Sequence, residues 1–253
     1  YVGRLRDDLP DWAFAPWNDA VGGPERLATV ADTLRQRGIP SSAIWSEDWI
    51  GGEDTGAGGF RLSYAWEWDP ATYPDLPADI AGLHARGFAF LAYFNPFVPT
   101  PTRMWSEGVA GGYLIRGTDG EAYTFLDPAF RDSGMVDLDN PAARAWLREY
   151  LRVAAEDLGI DGWMADYAEW LPVDAVLASG EDPWLAHNRY PLAWQALNAE
   201  LLAEVHAGSS EGWTYFARSG WASANGGSAQ HIPALWAGDQ NTDWGVDDGF
   251  PTI

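Results

Sequence analysis

Lysine and cysteine are both absent from the 253 residues, and each absence closes off chemistry. Without lysine there is no Schiff-base amine and no phosphate-cradle lysine. Without cysteine there are no disulfides, no thiolate nucleophile and no cysteine-bound zinc. Positive charge is scarce: 15 arginines stand against 37 acidic residues, for a net charge of −22. Such a surface repels phosphate backbones and anionic lipid, so nucleic acid is not expected as a partner. No apolar run approaches the roughly 18–20 residues of a membrane-spanning helix, so no membrane partner is expected either. His84, His187, His206 and His231 show neither HExxH nor paired spacing, and no metal is expected. No serine sits in a GxSxG elbow and no glycine-rich phosphate fingerprint follows a strand-like run, so no cofactor is expected. The first residues lack an initiator methionine and the apolar core of a signal peptide. A processed or excised chain is expected, with a cytoplasmic location favoured.

What is abundant is tryptophan: 16 residues, beside 10 Tyr and 10 Phe. Part of that number must be core. Several, however, sit beside acids, as in Trp45/Glu47/Asp48/Trp49, Trp66/Glu67/Trp68/Asp69, Glu169/Trp170 and Trp236/Asp239. Flat apolar faces next to carboxylates suit an uncharged polyhydroxylated ligand, and a small carbohydrate substrate is the expected partner.

Helical and strand-like segments alternate. Asp11–Trp17 reads as a first strand. A helix opens at Pro24, where the missing N–H costs nothing, and carries the stripe Leu27, Val30, Ala31, Leu34. Gly38 ends it, and Ala43–Trp45 follows as a second strand. A short helix after Pro77 ends at Gly87, before the apolar run Phe88–Phe94. Residues 97–135 form an excursion with a hairpin signal at Asp119-Gly120. Asn140-Pro141 caps a helix that Gly159 stops, before the buried run Trp163–Ala165. A helix from about Pro191 to His206, a strand Trp213–Ala217 and a strand Ile232–Trp236 complete the pattern. Helix-stopping glycines followed at once by apolar runs point to βα units and a parallel sheet. The expected fold class is α/β: a (β/α)8 TIM-type barrel, with about six βα units present. An open doubly wound sheet is the alternative.

The strand ends collect Glu47, Asp48, Asn95, Asp166, Glu169, Arg218 and Asp239, which a barrel would bring to one face. Two carboxylates across a glycosidic bond are the minimum machinery for its hydrolysis. His187, placed in the loop after the fourth strand, is a further residue that could reach a substrate. His84 and His206 fall on helices and read as surface or packing residues.

Gly162-Trp163-Met164-Ala165-Asp166-Tyr167-Ala168-Glu169-Trp170-Leu171-Pro172 resembles the nucleophile motif of family 31 glycoside hydrolases, most of all that of the bacterial sulfoquinovosidases. Trp236-Ala237-Gly238-Asp239-Gln240-Asn241 resembles the same family's acid/base motif, and Ala217-Arg218-Ser219-Gly220 its intervening arginine segment. Trp45-Ser46-Glu47-Asp48-Trp49 and the stretch from Arg61 to Trp68 align in the same order. The resemblance covers nearly the whole chain. It implies retaining cleavage of α-glycosides, with Asp166 as nucleophile and Asp239 as acid/base. It implies substrate contacts from Glu47, Asp48, Arg61, Tyr64, Trp163, Glu169, Arg218 and Trp236. It also implies that residues 1–253 are a catalytic barrel domain without its C-terminal strands and flanking β domains, an excised or incomplete piece. Trp236 and the segment to Trp244 are expected to give Asp239 apolar surroundings.

In sulfoquinovosidases the 6-sulfonate is held by a Gln, an Arg and a Trp. Here the Arg is Arg61, the Gln position falls on Glu47 and the Trp position on Tyr64. An ionised Glu47 would repel a sulfonate, so an α-glucoside is the favoured substrate and a sulfoquinovoside the alternative. A transglycosylase would use the same residues, and a non-catalytic sugar-binding barrel would not need both Asp166 and Asp239.

Overall fold

Six short strands run parallel in one sheet, in the order in which they occur along the chain. They are β1 (Trp17–Asp19), β2 (Ala43–Trp45), β3 (Ala89–Phe94), β4 (Gly162–Ala165), β5 (Thr214–Ala217) and β6 (Ala234–Leu235). Every neighbouring pair is parallel. The computed structural model describes residues 9–56, 59–127, 131–209, 212–223, 226–241, 243–247 and 249–252.

The sheet is curled. In a flat sheet β1 and β5 would lie about 19 Å apart, four steps of about 4.8 Å. Instead the ring of Trp17 on β1 lies 5.7 Å from that of Phe216 on β5, which also meets Trp45 on β2 at 5.8 Å. Inward side chains of the first, second and fifth strands therefore share one interior. Sequential parallel order with this curl is barrel geometry and excludes the open doubly wound alternative, in which strand order reverses.

The helices follow from local signals. In α1 (Pro24–Gln36), Leu27, Ala31 and Leu34 are the buried stripe. α2 (Leu76–His84) is capped by Asp75, which accepts from the Ala78 N–H, and buries Leu76, Ile80 and Leu83. α3 (Arg103–Gly111) lies inside the excursion after β3. Asn140 caps α4 (Pro141–Glu156) by accepting from the Ala142 N–H at 3.0 Å. α5 spans Pro183–Val205. Gly38, Gly87 and Gly159 all adopt positive φ (64°, 74° and 77°), where a side chain would be strained. These three carry the helix-to-strand turns expected of them.

Four expectations change. Asp11–Phe14 is a 3-10 turn rather than strand, closed by Ala13 N–H on the Pro10 carbonyl; Pro16 has no N–H for a ladder, and pairing begins at Trp17. α5 starts at Pro183, behind an Asp182 cap that accepts from Trp184 N–H, and carries Pro191 within it. His187 consequently sits on α5, not in a loop. The hairpin signal at Asp119-Gly120 forms only a narrow turn, with Tyr123 N–H on the Ile115 carbonyl. Phe125 goes instead to an antiparallel three-stranded sheet of Phe97–Pro99, Arg131–Met135 and Phe125–Asp127.

Candidate active site at the strand ends

β4 is buried at all four residues and delivers Asp166 to its C-terminal end. The Asp166 N–H continues the ladder to the Phe94 carbonyl at 2.8 Å, so its backbone is fixed by β3. The chain then turns through Tyr167 and Ala168, at φ 53° and 87°. Side chains rarely tolerate that region, and two in succession mark stored strain of the kind found at functional sites. Ser219 braces the turn by donating to the Tyr167 carbonyl. The Tyr167 ring lies against Phe97 at 4.8 Å and beneath the Arg218 guanidinium at 3.8 Å.

Asp166 is 5% exposed. Tyr93 donates to its Oδ2 at 2.6 Å, and Arg218 Nε lies 3.4 Å from its Oδ1. Burial pushes the Asp166 pKa above the ordinary aspartate value; Tyr93, Arg218 and the Tyr167 N–H pull it back. Arg218 also bonds Glu169 through Nη2, so one guanidinium bridges two carboxylates.

A cavity of about 270 Å³ opens over these groups, and Glu47, Arg61, Tyr93, Asp166, Arg218 and Asp239 all line it. It is carried by the C-terminal ends of β2 to β6, the face on which barrel enzymes place their sites. Glu47 stands in the turn after β2. Burial and then the nearby acids Asp19, Asp48, Asp166 and Asp239 push its pKa up to about 7. A second cavity, of about 580 Å³, shares Arg218, Trp236 and Asp239 with the first and adds Glu169 and His187. His187 Nδ1 is tied to the Leu171 carbonyl at 2.5 Å. Since a carbonyl only accepts, that nitrogen carries the proton.

Three expected contact residues line neither cavity. Asp48 accepts from Gly22 N–H at 2.8 Å, Ser46 hydroxyl at 2.8 Å and Tyr73 hydroxyl at 2.5 Å, which makes it a clamp between the β1 and β2 loops. Trp163 is wholly buried, with Nε1 donating to Asn198 Oδ1 at 2.6 Å on α5. Tyr64 is also wholly buried, its hydroxyl on the Asn95 carbonyl at 2.7 Å. The apolar surroundings expected for Asp239 are not present: Asp239 is exposed and Trp244 is 81% exposed. The sequence reading missed Tyr93 and Asp19. Tyr93 was absorbed into an apolar strand, although its hydroxyl two positions before Asn95 is a polar group at the strand end. Among the described residues no cluster of His, Cys, Asp or Glu is placed to hold a metal ion.

The family model for the glycosyl hydrolases family 31 TIM-barrel domain matches residues 7–246. The chain belongs to this family. It is 36% identical to the sulfoquinovosidase of Escherichia coli K12, over all of this chain and 36% of that protein. It is 34% identical to the sulfoquinovosidase of Agrobacterium fabrum, over all of this chain and 37% of that protein. A solved family 31 sulfoquinovosidase from E. rectale, in complex with the aza-sugar inhibitor IFGSQ, superposes with a TM-score of 0.88 at 36% identity. That match covers all of this chain and 37% of the other. The chain thus spans little more than a third of the length of these relatives.

Proposed function

We propose that this chain carries the catalytic centre of a retaining α-glycoside hydrolase. The observation that carries the reading is that Asp166 and Asp239, from the ends of β4 and β6, line the same small cavity. Two carboxyls across such a space are the apparatus of double displacement. Asp239 gives its proton to the glycosidic oxygen while the Asp166 carboxylate attacks the anomeric carbon. Asp239, now ionised, then takes a proton from the water that releases the sugar. Arg218, bridging Asp166 and Glu169, favours the ionised nucleophile.

For the sugar, we infer an α-sulfoquinovoside in preference to a plain α-glucoside. The expectation of an α-glucoside rested on an ionised Glu47. In its acidic, buried setting Glu47 titrates near 7, so at and below neutrality a large share is protonated. A protonated carboxyl donates a hydrogen bond to a sulfonate oxygen, as a Gln amide would. Arg61 lines the same cavity and offers a fork that suits an oxyanion. The relatives at 34–36% identity are named sulfoquinovosidases, which agrees. One observation favours the α-glucoside: the cavity also gathers Asp166 and Asp239, so its own charge opposes an anion. The test is kcat/KM for matched aryl α-sulfoquinovoside and α-glucoside at pH 6 on the full-length protein. Preference for the sulfonate supports the reading, and preference for the glucoside reverses it.

A further inference from the structure

We propose that Tyr93 is the positioning residue of the nucleophile: its hydroxyl holds Oδ2 of Asp166, leaves Oδ1 as the attacking atom, and assists breakdown of the glycosyl-enzyme. The inference rests on the reading of Asp166 as nucleophile. Tyr93 lies one residue before the end of β3 and is 3% exposed. Its O–H donates to Oδ2 at 2.6 Å. The phenol oxygen is itself fixed, because Asn95 Nδ2 donates to it at 3.3 Å. Asn95 is in turn held on all sides. Its Oδ1 accepts from the Phe97 N–H at 3.0 Å, its carbonyl accepts from Tyr64 at 2.7 Å, and its N–H donates back to the Tyr64 hydroxyl. Tyr64, which lines neither of the two cavities, thereby has a place in the site as the end of a buried chain leading to Asp166.

The two oxygens of Asp166 are inequivalent. Among the described residues Oδ1 has no hydrogen-bond partner and faces Arg218 Nε at 3.4 Å. In the first step the Oδ1–C1 bond forms as the C1–O bond to the leaving group breaks with its electron pair, and the Asp239 proton passes to that oxygen. Oδ2 becomes the carbonyl oxygen of an ester, and the carboxylate charge disappears. In the second step the oxygen of water bonds to C1, a water proton passes to Asp239, and the C1–Oδ1 pair returns to Asp166. Charge then reappears on the carboxylate that Tyr93 holds. A hydrogen bond to a charged acceptor is stronger than one to a neutral carbonyl. Tyr93 therefore aids the second step more than the first, since only an interaction that strengthens toward the transition state speeds a step.

The test is Tyr93→Phe in the full-length protein with an activated aryl α-glycoside. The expected result is a drop of roughly 10- to 100-fold in kcat, the range for losing a hydrogen bond to a charged group. KM should fall alongside, kcat/KM should change much less, and a burst of aryl alcohol should mark accumulated glycosyl-enzyme. Equal losses in kcat and kcat/KM with no burst would overturn the proposal. Replacement of Tyr93 by difluorotyrosine keeps the ring and hydroxyl but makes a better donor, and should speed the second step; slower or unchanged turnover there would also overturn it. If covalent labelling of the wild-type protein falls on a residue other than Asp166, it is the underlying reading that fails.

Discussion

Arg218 Nε lies 3.4 Å from Oδ1 of Asp166, while the far end of the same guanidinium bonds Glu169 and its face covers the Tyr167 ring. Burial raises the Asp166 pKa, and Arg218 is one of the groups that lowers it. Arg218→Ala should therefore raise it further and move the acid limb of the kcat/KM profile to higher pH. At neutral pH activity should fall roughly 10- to 100-fold, as for other charge-assisted contacts. Arg218→Lys should not restore it, because a single ammonium cannot span both carboxylates and stack on the ring. The measurement is a pH profile of all three proteins. An acid limb that stays in place in Arg218→Ala would contradict the assigned role.

Glu47 carries a stability consequence with a definite sign. Its pKa is about 7 in the folded protein against an ordinary 4.5. Between those values the folded state retains a proton that the unfolded chain gives up, so this group's contribution falls as pH rises and is lowest above about 7. Glu47→Gln removes the loss. Denaturant melts of both proteins should nearly coincide at about pH 4.5. At about pH 8 the variant should be more stable by on the order of 1–3 kcal/mol. A difference that does not grow with pH would show that burial and the acids Asp19, Asp48, Asp166 and Asp239 do not act on Glu47 as described.

The expected βα rhythm was legible because it rests on local chemistry. Positive-φ glycines at 38, 87 and 159 need nothing from the rest of the fold to end a helix, and each does. The strand-end carboxylates Asp166 and Asp239 were legible for a related reason, since a short apolar run forces the next polar residue to the rim. What was not legible depends on side-chain direction. Asp48 and Glu47 are neighbours in sequence, yet one clamps Gly22 and Tyr73 while the other lines the cavity. Trp163 beside the candidate nucleophile looked like a substrate contact; on β4 it points to Asn198 on α5. Pro191 read as a helix start because proline is common there, but the Asp182-Pro183 cap eight residues earlier had already begun the turn.

Gly162 is required by the approach of β4 to β5. A Cβ there would lie 1.7 Å from the Thr214 carbonyl oxygen, a backbone atom held by strand pairing. Gly162→Ala should destabilise the protein by at least about 3 kcal/mol, the upper end for overpacking in a core. A fall in the urea midpoint would show it, whereas wild-type stability would mean that β4 and β5 lie farther apart than the structure has them.

Asp239 is predicted to matter in proportion to how much help the leaving group needs. Asp239→Ala should cost a poor leaving group, such as an alkyl alcohol, far more than an activated nitrophenol. General acid catalysis contributes about 10²- to 10⁴-fold where it is needed. Rates for a series of aryl and alkyl α-glycosides measure the dependence. Equal losses across the series would remove Asp239 from the proton-transfer role.

The central claim is that Asp166 forms a covalent bond to the sugar. Incubating the full-length protein with a fluorinated glycosyl fluoride, which forms the glycosyl-enzyme but slows its breakdown, and mapping the labelled peptide by mass spectrometry tests this directly. The account predicts one sugar per active site, attached to Asp166, and no label in Asp166→Ala. Attachment to any other residue, or turnover of the reagent with inverted stereochemistry and no adduct, would contradict it.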